Sequence, residues 1–353
     1  MKELSSLLQD SLDSLNLSLY FDKYSPIILF PEVIEADRKI ISPSGGLIKL
    51  SVSLLSSEIL EKVREKERSN NLVRFLSKFL GGKEGIKPKY TITLPKDALK
   101  CYREFYGEYK AMLCSLNAEI GKFKTKSKLV IGLGDESIYE TNIRLLRNYG
   151  VPYIPGSALK GITKHWSIYM LTEWLQENSK DRDFYELARI VQNSLEDGNL
   201  KIFPDKEVHP KDELQKEFFE AFGKERLTLK KMAENLVNIF GTTKHQGTVI
   251  FFDALPTPES IENNNDNQIL KLDVITPHYP DYYRKKEAPG DWQNPVPIFF
   301  LTVPEEIEFL VGIASRKDLG GLIAIKLLTQ ALREYGVGAK TALGYGRLER
   351  VGR

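Results

Sequence analysis

Tyr335-Gly336-Val337-Gly338-Ala339-Lys340-Thr341-Ala342-Leu343-Gly344-Tyr345-Gly346 is the stretch on which the reading of this chain turns. Two Gly-x-Gly pairs bracket a short segment carrying Lys340 and Thr341. An amphipathic stretch, 319–334, runs into it and an alternating stretch, 345–351, leaves it, so the order is helix, glycine loop, strand. Glycine reaches positive φ and leaves its backbone N–H uncovered, so such a loop can lie against a phosphate chain, with Lys340 adding charge. A helix C-cap and a tight turn use one or two glycines. The four here, Gly336, Gly338, Gly344 and Gly346, exceed that need. A nucleotide P-loop fails on detail, because the two positions where it requires glycine hold Ala339 and Glu334. P-loops and dinucleotide fingerprints also follow a strand and open a helix, the reverse of the order here. A loop for polymeric phosphate remains, beside the plain cap and turn.

Working outward, 353 residues allow one elaborated domain or two, and 42% hydrophobic with 28% charged residues is ordinary globular composition. Fifty Lys and Arg stand against 48 Asp and Glu, so any nucleic-acid surface is a local patch on a balanced body. Cys101 and Cys114 are too far apart for a C-x-x-C site and no secretion signal precedes them. They are expected to be reduced core cysteines of a cytoplasmic protein, with no metal or other cofactor. No apolar run approaches the ~20 residues of a membrane helix, so no membrane partner is expected.

Leu4, Leu7, Leu8, Leu12 and Leu15 fall at helical spacing, and helices are predicted over 58–79 and 96–116 with a short strand over 90–94. This makes 1–126 a mainly helical elaboration packed on a core of 127–353. In that core Leu129 to Gly134 reads as a strand, and Ser157 as the N-cap of a helix over 158–175. Helices follow over 183–195, 211–222 and 227–240, then strands over 248–254 and 269–275. Another strand pair, 297–303 and 307–315, turns at Pro304-Glu305. The interleaving points to an α+β, ferredoxin-like (RRM-like) fold with insertions at about 176–245 and 276–296.

The turn Val151-Pro152-Tyr153-Ile154-Pro155-Gly156-Ser157-Ala158-Leu159-Lys160-Gly161, followed later by the paired-glycine loop, resembles the RAMP superfamily of CRISPR RNA-binding proteins. Three further stretches resemble more closely the family that supplies the sixth subunit of the type III-B Cmr effector complex. They are Gly247-Thr248-Val249-Ile250-Phe251-Phe252-Asp253-Ala254-Leu255-Pro256, Asp273-Val274-Ile275-Thr276-Pro277-His278-Tyr279-Pro280-Asp281-Tyr282-Tyr283 and Asp291-Trp292-Gln293-Asn294-Pro295-Val296-Pro297. The resemblance covers 127–353, with Ala158 standing where that family has a second serine. It implies an RRM-like ferredoxin domain with insertions and a non-catalytic structural subunit. Its partners would be the CRISPR guide RNA, towards the guide's 3′ portion, the other Cmr subunits, and target RNA. Target cleavage would belong to a different, repeated subunit.

Candidate contacts to RNA are spread along the core. Ser157, Lys160 and Lys164 lie at the start of a helix, whose N-terminus favours phosphate; a solvated lysine face is the alternative. Lys244 and His245 sit in a polar turn, and either can bond phosphate or ribose. Tyr279, Tyr282, Tyr283, Arg284, Lys285, Lys286 and Trp292 interleave aromatics with three consecutive cations, a pattern for base stacking or for a protein interface. The glycine loop supplies Gly336, Gly338, Lys340, Thr341, Gly344 and Gly346. Asp253, Asp273 and His278 show no metal-ligand spacing, so structural roles are expected. Two function classes stay open: a guide-RNA-binding subunit, and a RAMP-type endoribonuclease processing or cleaving CRISPR RNA with His165 or His245 as its acid-base group. A protein scaffold is the third.

Overall fold

The computed structural model describes residues 91–352 apart from 95, 136–140, 177–181, 224–226, 265–267, 276–278, 280–281, 283–287, 289, 291–297 and 317–319. The expected N-terminal helices and most of the 279–292 loop therefore lie outside the described residues. In chain order the elements are β1 (Thr91–Thr93), α1 (Lys96–Ser115), β2 (Glu119–Thr125), β3 (Leu145–Leu146), β4 (Val151–Pro152) and α2 (Gly156–Gln176). Then come α3 (Phe184–Asp197), α4 (Glu213–Ala221), α5 (Leu229–Phe240), β5 (Val249–Phe251), β6 (Leu255–Pro256) and α6 (Pro258–Glu262). The last are β7 (Gln268–Ile275), β8 (Ile298–Thr302), β9 (Glu308–Ser315), α7 (Gly320–Glu334) and β10 (Leu348–Val351). The chain is a mixed α+β protein.

Two compact units divide these elements, and α1 crosses from one to the other at Phe105 and Tyr106. In the first unit β7 is the middle strand of an antiparallel sheet ordered β1-β7-β8, with Asp273 opposite Phe300. Ile269, Leu270 and Phe300 are buried there, and the ring of Phe105 stacks on Tyr149 at 4.6 Å.

In the second unit the antiparallel order is β10-β2-β9-β5, with β6 also pairing with β9. Residues of a strand alternate between faces. Gly121 and its partner Val311 face α7, where a Cβ on Gly121 would lie 3.2 Å from Ile325. Gly312 faces the other way, and a Cβ there would lie 2.6 Å from Leu113 of α1. The central strand β9 is therefore buried on both faces, which accounts for its nearly unbroken apolar run.

Helix starts follow from their side chains. Asp183, Asp212 and Thr228 each accept a first-turn backbone N–H and so cap α3, α4 and α5. Helix α2 departs from the expectation. It begins two residues early, at Gly156, whose N–H donates to Asp253 Oδ1 at 2.7 Å, and Ser157 lies inside its first turn. A Cβ at Gly156 would overlap the carbonyl of Phe251, so glycine lets the helix start press against β5. Asp253 is free to do this because the expected single strand over 248–254 breaks at Phe252-Asp253, between β5 and β6.

Three other expectations change. Strand β2, an inner strand of this sheet, spans Glu119–Thr125, ahead of the expected boundary at 127, whereas Leu129 makes only an isolated bridge. Strands β8 and β9 are not a hairpin: β8 pairs with β7, and β9 lies between β2 and β5. Cys101 and Cys114 are exposed. Leu99, Tyr102, Tyr106 and Leu113 form the buried stripe of α1, and the cysteines fall off it at helical spacing.

Candidate nucleic-acid interface

The glycine loop leaves α7 through Tyr335 and Gly336, whose N–H groups both donate to Ala331 O, at 2.9 and 3.1 Å. Gly336 takes φ 75° and ends the helix in the left-handed conformation. The two ends of the loop are then tied into a neck. Val337 N–H donates to Gly346 O at 2.9 Å, and Gly346 N–H donates to Lys128 O at 2.9 Å. A Cβ on Gly336 would sit 2.7 Å from Gly346 O, and one on Gly346 would overlap the carbonyl of Val337. Two of the four glycines are therefore required by the loop's own closure.

The other two stand on the exposed rim. Gly338 and Gly344 have φ of 94° and 90°, and nothing lies within 4 Å of where a Cβ on Gly344 would be. Lys340, between them, holds φ 61° without being glycine, a conformation costing about 1 kcal/mol. Its carbonyl accepts from Leu343 and Tyr345, at 2.9 and 3.4 Å, and so closes the short 3₁₀ turn Thr341–Leu343. The N–H groups of Gly338 and Ala339 meet no acceptor among the described residues. Two successive amides without an acceptor among the described residues, next to a lysine, are donors suited to an anion.

Ser157, Lys160 and Lys164 follow one stripe of α2, because spacings of three and four residues share a helix face. Lys164 is partly engaged, its ammonium donating to Glu196 Oε1 of α3 at 2.8 Å. That bond, with a second from Gln192, holds the Glu196 carboxyl below its ordinary value. The same end of α3 receives the turn that carries Lys244 and His245. Thr243 N–H donates to Glu196 O at 2.9 Å, and Thr242 Oγ1 accepts from both Lys244 and His245 N–H. Lys164, Lys244 and His245 are thus gathered around one helix end.

The ion pair predicts a small pH effect. A carboxyl lowered in the fold stabilises above its unfolded value, and that contribution fades as pH falls through the lowered one. Lys164→Ala is expected to cost about 0.5 kcal/mol at pH 7, since both partners are part-exposed. Urea midpoints at pH 7 and 3 check this, and the difference should shrink at pH 3. A difference that grows at low pH rules the pair out as the cause.

An aromatic row that the sequence reading did not anticipate joins α2 to the loop. Tyr335 lies 5.1 Å from His165, 5.6 Å from Trp166 and 5.8 Å from Tyr169, between ring centroids, and all three contacts are near edge-on. Tyr169 continues to Phe184 at 5.2 Å, and Phe184 to the strongly exposed Tyr185. Burial, with Tyr169 nearby, pushes the Tyr335 phenol up to about 12, so it stays neutral. The readable signal was His165-Trp166-Tyr169 on one helix and a tyrosine next to the first glycine of the loop.

The remaining candidates divide. Tyr282 belongs to the first unit and is exposed, while Arg284, Lys285 and Lys286 lie outside the described residues. Asp253 caps α2, and Asp273 Oδ1 accepts from Val274 N–H at 3.0 Å. Among the described residues no helix is long and apolar enough to cross a membrane.

A mixed sheet carrying this loop has relatives. The RAMP superfamily pattern matches residues 122–349. The CRISPR system Cmr subunit Cmr6 of Pyrococcus furiosus is 45% identical, with 99% of each chain covered. The chain belongs to the RAMP superfamily and, within it, to the Cmr6 family. The crystal structure of Cmr6 from Pyrococcus furiosus superposes with a TM-score of 0.50 at 48% identity, over 67% of this chain and 98% of that one. A chain in the cryo-EM structure of the type III-B Cmr-β complex bound to cognate target RNA shares the fold. Its TM-score is 0.55 at 18% identity, over 99% of this chain and 95% of that one.

Proposed function

We propose that the chain is a non-catalytic, guide-RNA-binding structural subunit of a type III-B (Cmr) RNA-targeting effector complex, seated near the guide's 3′ end. Its partners are the guide RNA, the other Cmr subunits and, through the assembled complex, target RNA; its place is the cytoplasm. The observation that carries this reading is the exposed rim of the glycine loop, where the amides of Gly338 and Ala339, next to Lys340, meet no acceptor among the described residues. Membership of the Cmr6 family supports the assembly.

The β2-α2…β5-β9-α7-β10 succession, with sheet order β10-β2-β9-β5, supports a ferredoxin-like (RRM-like) domain. Helices α3, α4 and α5 then fill the insertion at about 176–245. Support for a non-catalytic role comes from His165, whose ring rests against Tyr335 and, among the described residues, has no carboxylate partner of the kind that orients a general base.

The test is guide retention by the reconstituted complex carrying Gly338→Val and Lys340→Ala together. Valine fills the approach to the backbone and alanine removes the charge. Guide affinity is expected to fall about tenfold, and the salt slope by about one, as one phosphate contact is lost. Unchanged affinity and slope in a properly assembled complex overturn the reading.

A further inference from the structure

We propose that the aromatic row at the foot of the glycine loop is a stacking site for one unpaired nucleobase of single-stranded RNA, with the His165 imidazole as platform and Tyr335 as its buttress. This rests on the RNA-binding reading above and specifies what that surface does with a base as well as with phosphates.

His165 is exposed, although its helix is among the most buried in the unit. Its ring meets Tyr335 at an interplanar angle of 88°. In an edge-on pair only one ring offers its face, so at least one face of the imidazole is left uncovered by Tyr335. Tyr335 itself is held by Trp166, which is 1% exposed, and by Tyr169. The imidazole is therefore presented on a fixed support, which lowers the entropy lost when a base stacks on it.

The surroundings favour a nucleotide. Lys164 precedes His165 on α2, beside the Lys244 turn, and Gly336 follows Tyr335 into the loop with its open amides. Candidate donors for phosphate thus stand next along the chain to both members of the His165–Tyr335 pair, and aromatics with such donors are the combination that single-strand binders use. The neutral Tyr335 phenol adds no charge to repel the backbone. Aromatic rings beside candidate phosphate donors suit a base and its phosphates better than an apolar protein knob, which gains nothing from those donors.

The experiment is an abasic scan. Complexes containing the full chain are assembled on guide RNAs in which each nucleotide in turn is replaced by an abasic one. With the wild-type chain, one position is expected to weaken retention by at least about fivefold. His165→Ala should weaken the intact guide by the same factor and make that abasic position silent. His165→Phe, which keeps a planar ring, should restore both. A flat scan on a guide that is otherwise retained overturns the stacking site alone. A guide that the wild-type chain does not help to retain overturns the RNA-binding reading and this site with it. Impaired assembly with His165→Ala, with the abasic position still sensitive in the complexes that do form, assigns the ring to a protein neighbour and also overturns the proposal.

Discussion

Gly346→Ala is expected to destabilise the second unit by about 3 kcal/mol, whereas Gly344→Ala costs about 1 kcal/mol. Both glycines hold positive φ, 75° and 90°, so both substitutions carry the strain of an L-residue in the left-handed region. Only at Gly346 does the added methyl also meet backbone, the carbonyl of Val337. That carbonyl cannot move aside cheaply, because Val337 is buried and its own N–H is bonded to Gly346 O. The difference between the two variants therefore isolates the neck contact from the torsional cost. Urea midpoints of the full chain measure it. Equal losses at the two positions would show that conformation alone, and not the closed neck, demands glycine at 346.

That contrast marks how far the loop was legible. The four glycines and the lysine between them are local in sequence, and the order helix, loop, strand stands as read. Which glycines serve the fold and which the surface was not legible, because the answer lies with Gly346 O, Val337 O and Lys128 O, met only once the chain has closed on itself. The helices show the same division. Those capped by their own neighbours, α3, α4 and α5, start within two residues of the expected place. Helix α2 also starts within two residues of the expected place, but its cap is Asp253, almost 100 residues further along, and not the expected Ser157.

Strand pairing was the least readable. Pro304-Glu305 supplies a turn, and a turn between two apolar runs reads as a hairpin. Whether the runs pair with each other depends on β7 and β2, each distant in sequence, and the two strands go to different sheets. Strand β2 was readable in principle, since Lys122 and Lys124 alternate with buried Phe123 and Thr125. Its closeness to a strong helix and its glycine at 121 hid the period. Of the candidate RNA contacts, the structure gathers Lys164, Lys244 and His245, and links them to the loop through the rings of His165 and Tyr335. No sequence spacing reports that link.

Gln330→Met is expected to destabilise the second unit by about 2 kcal/mol, although it keeps the volume and shape of the side chain. Gln330 is 2% exposed and bridges two helices that flank its own. Its Oε1 accepts the indole N–H of Trp166 from α2 at 2.9 Å, and its Nε2 donates to Glu217 O of α4 at 2.9 Å. Methionine offers no comparable acceptor to the buried indole, and the unmade bond costs the desolvation of that N–H. In a Trp166→Phe background the indole is gone, so the same substitution should cost about 1 kcal/mol less. Equal costs in both backgrounds would show that the bridge contributes nothing beyond packing. The consequence reaches the proposed RNA surface, because Trp166 is one of the rings packed on Tyr335, which also meets His165. If Trp166 loosens when its hydrogen bond is lost, the imidazole platform loosens with it. Gln330→Met should then weaken guide retention at the proposed stacking site, while sparing the phosphate contact proposed for Lys340.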